Sequence, residues 1–177
     1  MVILRLSIIY MKNIKKIYYQ GSKGSYSESV LKDYFPNKEY IECQTFREVV
    51  VQAGGENYGL LPVENSLVGT VVDSYETLIQ SDLIVFGEFK KKITHALIGL
   101  KNSKFENIKR VISHPQALQQ CSNFLEEMNA QLQPVFDTAG SVLSLIDEQS
   151  NTTAGIAGEH FEGDSRFKIL KKNISNH

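Results

Sequence analysis

Glu64-Asn65-Ser66 follows a short apolar run, Gly59-Leu60-Leu61-Pro62-Val63, and is itself followed by Gly69. A carboxylate, an amide that donates and accepts, and a hydroxyl at a strand tip suit contact with a ligand better than core packing. Gly69, without a side chain, lets a ligand or another backbone come close. Three other places where a strand should give way to a helix also gather small or polar groups: Gly24-Ser25, Ser113-His114-Pro115-Gln116 and Asp137-Thr138-Ala139-Gly140-Ser141. Gln116 and Gln120 lie one helical turn apart. Helix N-termini offer unpaired N–H groups and a positive dipole end, which suit carboxylates or phosphates. Each Ser or Thr alone reads as an N-cap, but four such junctions together favour a cleft for a polar small molecule. His114 before Pro115 fits a backbone-orienting role better than proton transfer. With no nucleophile–base pair, HExxH or CxxC in the chain, neither a metal nor covalent catalysis is assigned.

Capping signals and apolar periodicity mark the elements that must position these groups. Strand-like runs are 17–20, 39–43, 59–63, 84–89, 93–99, 110–113, 132–136, 153–158 and 167–170. Ser25-Tyr26-Ser27-Glu28 and Thr45-Phe46-Arg47-Glu48 fit capping boxes that open helices. Phe46, Val49, Val50 and Ala53 give the second helix its apolar face, and Gly54-Gly55 stops it. Further helices are expected through 74–79, from Pro115 to Met128, and from Thr138 to Glu148. Pro115 suits a first helical position, and Ala117, Leu118, Cys121, Phe124, Leu125 and Met128 recur at core spacing. Strands alternating with helices imply an α/β protein with mostly parallel pairing. In such sheets the strand-to-helix junctions line up along the carboxyl ends of the strands, where ligands bind.

The strand-rich crossover at 83–100 divides the chain into two expected lobes, about 11–82 with the tail 161–177, and about 95–160. Residues 1–10 are apolar but interrupted by Arg5, no small-residue cleavage site follows, and Met11 offers a second start. A dispensable extension is expected there rather than a signal peptide.

The 177 residues are 42% apolar and 22% charged, with a net charge of −1, the balance of an ordinary soluble globular protein. That charge argues against a nucleic-acid binder, which needs a concentrated basic face; Lys90-Lys91-Lys92 reads as a solvated strand face. No run approaches the roughly 20 apolar residues of a membrane helix, so no membrane partner is expected. Cys43 and Cys121 lie in apolar contexts without metal-type spacing, which fits buried reduced thiols in the cytoplasm.

Taken in order, Gln20-Gly21-Ser22-Lys23-Gly24-Ser25-Tyr26-Ser27, Leu61-Pro62-Val63-Glu64-Asn65-Ser66-Leu67-Val68-Gly69, Ser113-His114-Pro115-Gln116-Ala117-Leu118-Gln119-Gln120-Cys121 and Asp137-Thr138-Ala139-Gly140-Ser141 resemble the catalytic domain of the prephenate dehydratase family. The resemblance implies a two-lobed, type-2 periplasmic-binding-protein-like α/β fold with the active-site cleft between the lobes. It implies Glu64, Asn65, Ser113 and Gln120 as catalytic residues, and Ser25, Ser66, His114, Gln116 and Thr138 as substrate-binding residues. The reaction implied is loss of water and CO2 from prephenate to give phenylpyruvate in L-phenylalanine biosynthesis, with no cofactor and no metal, by a cytoplasmic homodimer. The family's Thr-Arg-Phe motif has no counterpart: Asp164-Ser165-Arg166-Phe167 aligns with the segment before it, and the chain stops at His177. No ACT domain is expected. Reduced or no activity is therefore expected of the chain as written. The alternative expectation is a non-catalytic module on the same scaffold that binds or senses small carboxylic acids.

Overall fold

The computed structural model describes the backbone of residues 2–5 and, with their side chains, residues 14–65 and 69–176. The chain divides into two compact units, Met1–Lys91 and Lys92–His177.

In the first unit the strands are β1 (Val2–Arg5), β2 (Lys16–Gln20), β3 (Glu39–Cys43), β4 (Asn57–Leu61), the short β5 (Glu64–Asn65) and β6 (Gly69–Thr70), and β7 (Ile84–Glu88). Helices α1 (Tyr26–Tyr34), α2 (Phe46–Gln52) and α3 (Val72–Ile79) lie between them. The main sheet runs β3-β2-β4-β1-β7, and β5 pairs with β6 alone. β2 is parallel to β3 and β4, while β1 is antiparallel to β4 and β7.

Both capping boxes form. Ser25 Oγ accepts the Glu28 N–H at 3.3 Å, and the Glu28 carboxylate accepts the Gly24 N–H at 2.7 Å. Thr45 Oγ1 accepts the Glu48 N–H at 3.1 Å, and Glu48 accepts from Gln44 at 2.7 Å. Each hydroxyl thereby satisfies an N–H that a helix start leaves open, while each glutamate reaches back to the N–H of the residue before the cap. Alternation along the strands feeds two apolar clusters: Ile17, Tyr19, Val30, Leu31, Tyr58 and Leu60 in one, Cys43, Val49, Leu61 and Val63 in the other.

The second unit holds β8 (His95–Leu100), β9 (Arg110–Ser113), α4 (Pro115–Gln120), α5 (Ser122–Glu126), β10 (Gln131–Pro134), α6 (Thr138–Glu148), β11 (Thr153–Gly158) and β12 (Phe167–Lys171). Its sheet runs β10-β9-β11-β8-β12. β9 is parallel to β10 and β11, and β8 is antiparallel to β11 and β12. Successive residues of β8 face opposite layers, as strand geometry requires. Ala96 and Ile98 join Val142 and Leu145 of α6, while Leu97 joins Ala117, Cys121 and Leu125 of α4 and α5.

Four features differ from the sequence expectations. Pairing is mixed, because the first strand of each unit runs against the other four of its sheet. Val2–Arg5, expected to lie in an extension outside the fold, runs between β4 and β7. The tail, expected to rejoin the first lobe, pairs as β12 with β8 and belongs to the second unit. The helix expected from Pro115 to Met128 breaks at Cys121 (φ −115, ψ 14). There Asn176 donates its backbone N–H to Gln120 O at 2.8 Å and its amide Nδ2 to Gln119 O at 3.2 Å. Two carbonyls released by the break thus gain partners.

Candidate active site

Parallel strands place their carboxyl ends on one edge of a sheet. In the first unit that edge belongs to β2, β3 and β4, and it is where Ser25, Thr45 and Glu64-Asn65 stand. Ser25 is half-buried with its hydroxyl engaged as the α1 N-cap. Glu64 is exposed and Asn65 half-buried; β5 holds both through its pairing with β6, Glu64 opposite Thr70 and Asn65 opposite Gly69. Gly69 has φ +90, a conformation that glycine adopts without strain. Ser66 lies outside the described residues.

In the second unit the same edge carries the ends of β9, β10 and β11. Ser113, last in β9, is 0% exposed. Its hydroxyl donates to the Ile156 carbonyl at 2.8 Å and so ties β9 to β11. This differs from the expected substrate-facing hydroxyl: its proton is committed inside the sheet, leaving its lone pairs as acceptors. His114 caps α4, its Nδ1 accepting the Gln116 N–H at 3.2 Å. An accepting Nδ1 carries no proton, so the ring presents Nε2–H outward. The side chain orients backbone, as expected, and offers a donor as well. Gln116 is half-buried.

Thr138 is half-buried in the first turn of α6. The cap of that helix is Asp137, whose carboxylate accepts the Gly140 N–H at 2.5 Å. Gln120, the last residue of α4, is half-buried and meets His95, its Oε1 2.8 Å from the His95 Nε2. Because β8 runs antiparallel to β11, with His95 opposite Gly158, His95 belongs to this same edge.

His95 was not singled out by the sequence. It sits inside the apolar run Ile93-Thr94-His95-Ala96-Leu97-Ile98 and reads there as part of a strand. The available signal was an ionisable side chain leading directly into the apolar run Ala96-Leu97-Ile98. In the structure it is 3% exposed. Burial holds its pKa below the ordinary imidazole value, with the Gln120 hydrogen bond opposing that in part. The thiols offer no nucleophile: burial pushes Cys121 up to about 12, and burial followed by the nearby Glu48 charge raises Cys43. Among the described residues no group of three or more His, Cys, Asp or Glu side chains is placed to hold a metal. No helix among them is long and apolar enough to cross a membrane.

Each unit thus gathers polar side chains and helix caps at the strand ends of a five-stranded mixed sheet, and the fold is α/β. The chain belongs to the prephenate dehydratase family, whose model matches residues 17–177. Arogenate dehydratase/prephenate dehydratase 2 of Arabidopsis thaliana, a chloroplastic protein, is 34% identical over 91% of this chain and 43% of its own length. The prephenate dehydratase of Methanocaldococcus jannaschii is 33% identical over 92% of this chain and 61% of its own length. The chain therefore spans less than two thirds of either curated relative. Among solved structures, the prephenate dehydratase of Arthrobacter aurescens in complex with L-Phe matches with a TM-score of 0.80 at 22% identity. That match covers 92% of this chain and 56% of that one, a likeness of fold.

Proposed function

We propose that this chain is a prephenate dehydratase, with Glu64, Asn65, Ser113 and Gln120 assigned to the reaction and Ser25, Ser66, His114, Gln116 and Thr138 to substrate binding. The observation that carries this reading is the family match across residues 17–177. Prephenate loses its ring hydroxyl as water, taking up one proton, while the bond from ring to carboxylate breaks and its electron pair aromatises the ring. Phenylpyruvate and CO2 leave. Aromatisation supplies the driving force, so the protein's work is positioning, donation to carboxylates and one proton transfer.

The chain's groups suit that division. The Gln120 amide nitrogen and the His114 Nε2–H are donors matched to the substrate's carboxylates. Glu64, exposed at the end of β5, is a carboxyl group for the departing hydroxyl. We assign the activity to the cytoplasm and to a homodimer. Val72, Tyr75 and Ile79 recur on one face of α3 and are all exposed, which supplies apolar surface for a second copy.

The alternative, a non-catalytic module for small carboxylic acids, draws on one observation: the Ser113 hydroxyl already donates inside the sheet. Incubation with prephenate separates the two. The dehydratase reading expects phenylpyruvate and CO2 in equal amounts; the sensing reading expects prephenate to bind and be recovered unchanged. Offering arogenate in parallel tests the substrate, since phenylalanine would then be the product.

A further inference from the structure

A glutamine amide can present either its oxygen or its NH2 group to a ligand, and for a carboxylate the two are opposite in effect: the oxygen repels it, the NH2 group binds it. In the second unit something fixes that choice. The contact at Gln120 is from its Oε1 to His95 Nε2, at 2.8 Å. A neutral imidazole has a single N–H and an amide oxygen only accepts, so this contact is a hydrogen bond in the tautomer that carries the ring proton on Nε2. In that tautomer the Gln120 NH2 group points away from His95.

The two partners are also held in register by one short segment. The His95 N–H donates to Ser175 Oγ at 3.2 Å, and Ile174 N–H donates to the His95 carbonyl at 3.0 Å. Asn176 N–H donates to the Gln120 carbonyl at 2.8 Å. Residues 174–176 therefore clasp the start of β8 and the end of α4 at once. Burial disfavours the charged ring, which is 3% exposed.

We propose that His95 is the positioning residue that fixes the Gln120 amide with its NH2 group turned toward an anionic ligand. This deepens the dehydratase reading and rests on it for the identity of that ligand. The ring's tautomer is the decisive quantity, and it can be measured whether or not the chain turns over prephenate.

The test uses the whole chain labelled with nitrogen-15. The ring signals of His95 are expected to show Nε2 protonated and Nδ1 bare. The reverse assignment makes Nε2 an acceptor for the Gln120 NH2 group and overturns the proposal. Titration with phenylpyruvate is expected to move the Gln120 NH2 signals. His95→Leu should weaken phenylpyruvate binding about tenfold, the worth of one hydrogen-bond donor correctly aimed. His95→Gln, which returns an N–H at similar reach, should restore most of it, and either change in a Gln120→Ala background should do nothing more. Equal weakening by His95→Leu with and without Gln120 means the ring acts only on general stability and overturns the proposal. If the unaltered chain ignores phenylpyruvate, the dehydratase reading of Gln120 falls, and the tautomer alone still decides what His95 does.

Discussion

The two units follow the same course through their sheets and differ in what they attach to it. Numbered within each unit, the five main strands stand in the spatial order third, second, fourth, first, fifth. In both, the second, third and fourth are mutually parallel, and the first is antiparallel to its neighbours. Even a packing detail repeats. The fourth strand carries a glycine at its third position, Gly59 in β4 and Gly155 in β11, beneath a valine of the preceding helix, Val49 of α2 and Val142 of α6. The differences lie after that strand. The first unit inserts β5, β6 and α3 there, bringing Glu64 and Asn65; the second makes only a 3-10 turn, Glu159–Phe161. They lie also in the first strand: β8 presents a buried histidine, while β1 is formed by residues near the start of the chain. The shared scaffold carries the fold and the junctions at Ser25, Ser113 and Thr138, and the unshared parts add Glu64, Asn65 and His95.

If the two courses are equivalent, β1 is as necessary to its sheet as β8. Deleting residues 1–10 should remove β1 from between β4 and β7 and lower the Tm of the first unit by about 10 °C or more, the scale of several kcal/mol in a chain of this size. Calorimetry on the shortened chain checks it, and an unchanged Tm breaks the comparison at its first strand.

The glycine correspondence predicts matched, smaller losses. A Cβ on Gly59 would lie 2.9 Å from Val49 Cγ1, and one on Gly155 2.8 Å from Val142 Cγ2. Gly59→Ala and Gly155→Ala should each cost about 1–3 kcal/mol through overpacking, read from urea midpoints. A loss in one and not the other would show that the two helix–strand contacts are not equivalent.

The smallest effect separates the units by pH. Burial lowers the His95 pKa, so above the ordinary imidazole value folded and unfolded chains are both neutral there and His95 adds no pH dependence. As pH falls through about 6.5 the unfolded chain takes up the proton first. Stability should therefore decline until the lower folded-state value is passed. His95→Gln should flatten this part of the curve. An unchanged slope would mean that another group titrates there.

Much of this was readable from the residues. The capping boxes at Ser25 and Thr45 are local, written within four residues, and both form. The alternation of strands and helices gave the α/β class, and the junction motifs gave the family. What stayed hidden depends on partners distant in sequence. β1 is four residues whose pairing with β4 and β7 no local pattern announces. The break at Cys121 is compensated by Asn176, 55 residues further on by the numbering. Ser113 reads as a presented hydroxyl until Ile156 is placed beside it, and His95 reads as filler until α4 delivers Gln120.

In the proposed reaction, amide donors at these junctions hold the substrate while Glu64 serves the departing hydroxyl. The direct measurement is the rate of phenylpyruvate formation from prephenate by the unaltered chain, by Gln120→Ala and by Asn65→Ala, with Tm recorded for each. The account predicts product from the unaltered chain, and a fall of about 10²-fold in kcat/KM for each variant at near-constant Tm, the cost of removing one preorganised donor. Prephenate that binds but is returned unchanged, or variants as fast as the unaltered chain, would contradict it.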